Sequence, residues 1–136
     1  AGPSPEGEAM AGELDRALGE HAAPIRQLLR QREADGGAAA GPPTDRDRYR
    51  LFAAVAHAVI ATAQAAPTAL VLDDLHWADR PSLDLLRHVV FAAAEVGERE
   101  RLPLMVVGLH RPVGEDTPLA GLLSSLQRER ICQTLL

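Results

Sequence analysis

Residues 69–72 and 102–109 read ALVL and LPLMVVGL, two short aliphatic runs with no polar face. A strand with one wet face alternates apolar and polar residues. A run that is apolar on both faces predicts a strand inside a sheet covered on both sides. Between the two runs lies a segment of helical period, with Leu83, Leu86, Val90 and Ala93 on one stripe. Asp79 and Pro81 are start signals for that helix, and Gly97 is a natural terminator. A strand, a helix and a second strand in this order predict a parallel pair joined by a helical crossover, hence an α/β architecture.

The flanking segments extend the pattern. Residues 1–7, AGPSPEG, form an irregular lead-in. Met10, Leu14, Ala17 and Leu18 then recur at helical spacing, and Pro24 opens a second short helix with Ile25, Leu28 and Leu29 on its stripe. Residues 34–43, ADGGAAAGPP, read as a linker. Thr44 followed by Asp47 resembles a capping box, with Asp where Glu or Gln is usual. It predicts a helix over 45–66 with Phe52, Val55, Val59 and Ala63 on its face, ended by Pro67. Thr117 and Pro118 open a last helix with Leu119, Leu122, Leu123 and Leu126 as its stripe, and residues 131–136 read as a short terminal strand. The expected organisation is a variable helical region with its linker over 1–43, and an α/β region over 44–136.

Composition excludes several functions. All fourteen cationic side chains are Arg, and there is no Lys. Chemistry that needs a lysine amine within this chain is therefore ruled out, Schiff bases and the lysine of a phosphate-binding loop included. A net charge of −5 argues against nucleic acid or an anionic membrane as a partner of this segment. No apolar run reaches the length of a membrane span, which leads to the expectation of a cytoplasmic segment. The single cysteine, Cys132, excludes an internal disulfide and reads as a small buried hydrophobe.

The chemistry concentrates in residues 70–79, LVLDDLHWAD. Asp73 and Asp74 fall at the carboxyl end of the first predicted strand, the end of an open parallel sheet where ligands bind. Adjacent strand residues point to opposite faces, so the two acids are expected to do different jobs. Two neighbouring carboxylates repel unless a cation or polarised water takes up their charge. Magnesium, which prefers a few carboxylate oxygens plus water and phosphate, suits that need. A rival metal-hydrolase site would use Asp73, Asp74, His76 and Asp79, but all four lie within seven residues, whereas such sites draw ligands from separate elements. Ser82, Ser124 and Ser125 sit in helical contexts without a nucleophile-elbow pattern. Asp79 reads as a helix N-cap rather than a ligand.

The string LVLDDLHWADRPSLDLL closely resembles the Walker B segment of the signal-transduction ATPases with numerous domains. These are AAA-like P-loop ATPase modules of large LuxR-type transcriptional activators and of some bacterial nucleotide cyclases. RYRLFAAVAHAVI before it and LPLMVVGLHR after it sit where that family has similar elements, so the resemblance covers roughly 44–136. It implies a partial three-layer P-loop NTPase fold, with parallel strands sandwiched by helices. It further implies that Asp73 holds the magnesium of MgATP through water and that Asp74 orients or activates the water attacking the γ-phosphate. Arg111 matches the family's sensor arginine and would read the γ-phosphate. Leu109 stands where the family usually has a small hydroxyl residue, a departure that weakens the sensor match. His76 and Trp77 are family hallmarks, expected to act in packing or switching.

The family's phosphate loop, GxxxxGK followed by Ser or Thr, is absent from these residues. The resemblance implies that this loop and the first strand precede Ala1, between the strand positions of 102–109 and 131–136. Exposed sheet edges are then expected at those two segments, and the isolated chain should be marginally stable or associate. The functional expectation is part of an ATP-binding, ATP-hydrolysing switch domain of a bacterial regulator. Its partners would be ATP, the rest of its own domain, other domains of the parent, and further copies of itself. The alternative is a non-catalytic interaction segment that keeps the ATPase fold without turnover.

Overall fold

A computed structural model describes residues 44–135. The helices expected over 8–33 and the linker at 34–43 lie outside the described residues. The chain divides into two compact units, residues 1–62 and 63–136, and the division falls within the first described helix.

That helix, α1, spans Asp45–Ala65. Its start is built as the sequence predicts. The Asp47 N–H donates to Thr44 Oγ1 (3.2 Å), and the Thr44 N–H donates back to Asp47 Oδ2 (3.1 Å). Two otherwise orphaned amides are thereby satisfied. Ala56, Ala58 and Ala63 are buried, while Phe52, Val55 and Val59 are half-buried.

The second unit contains the βαβ arrangement. Strand β1 is Thr68–Leu72, α2 is Arg80–Arg99 and β2 is Leu104–Gly108. The strands pair in parallel, with Thr68 opposite Leu104 and Leu72 opposite Gly108. A three-residue 3₁₀ turn, Leu75–Trp77, links β1 to α2. The last helix, α3, spans Pro118–Arg128. Helices with a small parallel sheet agree with the partial α/β P-loop NTPase fold that the resemblance implies.

Both later helices begin on side-chain caps. The Ser82 N–H donates to Asp79 Oδ1 at 3.0 Å, and the Ala120 N–H to Thr117 Oγ1 at 3.2 Å. In each helix a proline occupies the first turn, where its missing N–H leaves no bond unmade. The core of this unit is the seam between α2 and α3. Leu83, Leu119, Leu122 and Leu126 form its buried cluster, with Leu75, Leu86, Val90, Phe91 and Ile131 against it. Burying several leucine side chains at about 1.5–3 kcal/mol each is the main force holding the two helices together.

Three local expectations are corrected. Gly97 does not stop α2. The helix continues to Arg99, whose guanidinium meets Glu95 one turn earlier at 2.8 Å. Residues 131–135 form no strand. Arg130 takes a left-handed conformation (φ 56°), its N–H returns to Gln127 O at 3.0 Å, and the Ile131 N–H returns to Leu126 O at 2.9 Å. This is a Schellman closure, and it folds Ile131 back onto the helix core instead of extending it. The sheet is also less covered than two apolar faces predict. Leu70, Leu72, Leu104 and Val106 are half-buried, but Val71 and Met105 are each 60% exposed.

Candidate functional site

The site lies where both strands end. Because β1 and β2 are parallel, their carboxyl ends share one side of the sheet. The residues that follow them, Asp73–Trp77 and Leu109–Arg111, are laced together across that end. The Leu109 N–H donates to Leu72 O (2.8 Å), and the Leu75 N–H donates to Leu109 O (3.0 Å). The Arg111 N–H then donates to His76 Nδ1 in a long bond of 3.4 Å. The sequence pattern weighed the side chain of Leu109, but it is the backbone of Leu109 that joins the two segments.

The acid pair is set on a sharp turn. Asp73 directly follows β1. Asp74 has left the extended conformation, with φ 55° and ψ 37°, a region that Asp and Asn tolerate better than most residues. The opposite-face argument made for strand neighbours therefore does not apply at Asp74. The Asp74 N–H donates to Asp73 Oδ1 at 2.7 Å, so one oxygen of Asp73 is occupied locally. Both aspartates are exposed, the Asp74 side chain to 65%.

His76 is mostly covered, in contrast to the two acids. Its side chain is 11% exposed, and its Nε2 stands 3.8 Å from Asp74 Oδ1. That nitrogen is buried and makes no hydrogen bond. Trp77, by contrast, is 79% exposed beside it, with ring centroids 5.2 Å apart. Arg111 is exposed and joins the site through its backbone. Asp79 is taken up by helix capping, and its carboxyl is held below the ordinary value near 3.8, chiefly by the hydrogen bonds from Ser82.

The residues bear unequally on the two parts of a metal–nucleotide ligand. Two exposed carboxylates suit a hard, hydrated cation, and Asp73 keeps one oxygen free to meet such a cation through water. For a triphosphate the sequence offers no lysine to place among loop amides. A cleft of about 340 Å³ lies between α2 and the start of α3. It is lined by Arg80, Asp84, Arg87 and Asp116, and by none of the acid-pair residues.

The model of the AAA ATPase domain family matches residues 5–107. The chain belongs to that family. The match takes in β1, Asp73, Asp74, His76, Trp77, α2 and most of β2; it ends before Leu109 and Arg111. No curated protein matches the chain. No solved structure matches it either. Members of the AAA ATPase family generally bind ATP with Mg²⁺. Among the described residues, no helix is long and apolar enough to cross a membrane.

Two parts of the site escaped the sequence pattern. Gly108 ends β2 and leaves room for Leu75, whose Cδ1 would stand 2.6 Å from a Cβ at position 108. A glycine closing an aliphatic strand was the only available signal. The contact between His76 and Arg111 spans 35 residues, and no local spacing announces it.

Proposed function

We propose that residues 44–136 are the later part of an ATP-binding, ATP-hydrolysing switch domain in a cytoplasmic bacterial signalling or transcription regulator. The observation that carries this reading is the placement of Asp73 and Asp74 at the carboxyl end of β1, beside the end of its parallel neighbour, in a chain of the AAA ATPase family. Asp73 is assigned to Mg²⁺ through water. Asp74 is assigned to orienting and activating the attacking water, and its exposure leaves its carboxylate open to one. Arg111 is assigned to the γ-phosphate as sensor, with its backbone already tied to the same end of the sheet. Magnesium, when bound with the nucleotide, supplies neutralisation of phosphate charge. The phosphate loop is supplied from outside these residues, and nucleotide-dependent assembly with copies of the parent is the proposed output.

A second reading is a non-catalytic interaction segment. The missing lysine favours it, as does Leu109, which is 49% exposed where the resemblance expects a small hydroxyl. Nucleotide titration separates the two. Trp77 is the sole tryptophan and lies beside the acid pair, so its emission reports directly on the site. The 136-residue chain should show no saturable response to micromolar MgATP, and a longer protein that carries the phosphate loop should show one. In that longer protein Asp74→Asn should lower hydrolysis by about 10²-fold or more while nucleotide still binds. Tight MgATP binding by this chain alone would contradict the account of the loop. Undiminished hydrolysis by the variant would remove Asp74 from catalysis.

A further inference from the structure

His76 touches both halves of the site. Its Nδ1 accepts the Arg111 N–H, so that nitrogen carries a lone pair and the neutral ring carries its proton on Nε2. That second nitrogen is buried, has no hydrogen-bond partner, and stands 3.8 Å from Asp74 Oδ1. A buried donor without an acceptor is unfavourable, and less than about 1 Å of movement brings the carboxylate to hydrogen-bond distance. The exposed Asp74 side chain can make that movement by rotating about its own bonds, with the turn held in place.

We infer that His76 is a positioning residue that couples the backbone of Arg111 to the carboxylate of Asp74. It rests on the assignment of Asp74 to the attacking water. The imidazole works as a rigid spacer: one nitrogen follows the segment after β2, and the other offers a proton to the acid after β1. A displacement of Arg111 then carries the ring with it and changes where Asp74 is held. The neighbouring backbone bonds, from Leu109 to Leu72 and from Leu75 to Leu109, keep the two strand ends in register while this one side chain relays position. The polar groups facing the ring are the Asp74 carboxylate and the Arg111 backbone N–H, one at each nitrogen.

The test uses the 136-residue chain labelled with ¹⁵N, without nucleotide. Histidine side-chain spectra should show His76 with Nδ1 unprotonated and Nε2 protonated, assigned by loss of the signals in His76→Asn. Asp74→Gly removes the carboxylate while tolerating φ 55°, and should shift the Nε2 signal. The Asn side chain reaches the position of Nδ1, and Gln reaches that of Nε2. His76→Asn should therefore keep the Arg111 amide protected, whereas His76→Gln should speed its hydrogen exchange about tenfold. A ring that merely fills space would respond alike to both variants. A proton found on Nδ1, an Nε2 signal unmoved by Asp74→Gly, or equal exchange in the two variants would overturn the coupling. These signals need no ATP turnover. Failure of the hydrolysis assignment would leave them intact, and failure of the coupling would leave nucleotide hydrolysis to be judged separately.

Discussion

Leu75 lies so close over Gly108 that a Cβ at position 108 would meet Leu75 Cδ1 at 2.6 Å. The end of β2 and the turn after β1 therefore approach this closely because position 108 carries no side chain. Leu75 also rests on the α2–α3 cluster, so the contact ties the acid-bearing turn to the helical core. Gly108→Ala is accommodated by rotation of a flexible leucine tip. Gly108→Val is not, because the branched side chain must displace Leu75 from the cluster. We expect a loss of about 1–3 kcal/mol in urea unfolding for the valine variant, with altered native emission from Trp77 in the same turn. An unchanged midpoint and spectrum would mean that Leu75 does not occupy this position.

Asp79 caps α2, and its carboxyl sits below the ordinary value near 3.8, first because of the Ser82 hydrogen bonds. A depressed carboxylate stabilises the fold above the unfolded-state value, and that contribution fades as the pH falls through the folded-state value. The wild-type chain should accordingly lose thermal stability as the pH falls below the ordinary carboxylate value near 3.8, in part through this group. Asp79→Asn keeps an N-cap oxygen without a charge. It should melt close to wild type near neutral pH and show a shallower loss on acidification. Parallel slopes of Tm against pH in the two proteins would place the acid sensitivity elsewhere.

The caps were legible because they are local. Thr44 with Asp47, Asp79 with Ser82 and Thr117 with Ala120 each lie within three residues, and the sequence spacing is the bond itself. The acid pair was legible for the same reason, as a short string at the end of an aliphatic run. What failed depended on distant partners. The segment at 131–136 has strand-like residues, but pairing needs a free neighbour, and the closure at Arg130 turns Ile131 back to Leu126 first. Gly97 looked like a stop because glycine ends many helices, yet the Arg99–Glu95 pair and the Glu100 N–H on Val96 O carry the turn past it. His76 read as a family hallmark, and its bond to an amide 35 residues away exists only once β1 and β2 are side by side.

Arg130 is held at φ 56°, where a Cβ crowds the backbone, to close the end of α3. Glycine takes this conformation without that crowding, although it also gains freedom in the unfolded chain. The balance at a Schellman position favours glycine. Arg130→Gly should raise stability by about 0.5–1 kcal/mol in denaturant unfolding. The bonds from Arg130 to Gln127 and from Ile131 to Leu126 should persist as slow amide exchange at both positions. A destabilised variant would show that the guanidinium contributes more than the backbone conformation costs.

Cys132 gives a chemical readout of the same corner of the fold. It is partly buried beside the α2–α3 cluster, and burial pushes its thiol above the ordinary value of 9.0. A raised pKa means less thiolate at any working pH, and the thiolate is the species that is alkylated. Because the chain has one cysteine, labelling is not confounded by a second site. At pH 8 iodoacetamide should modify native Cys132 about tenfold more slowly than the urea-unfolded chain. Leu122→Ala, which removes a buried leucine from the cluster at an expected cost of about 2–5 kcal/mol, should bring the native rate up toward the unfolded one. Equal rates in folded and unfolded wild-type chain would show that Cys132 does not rest against this core.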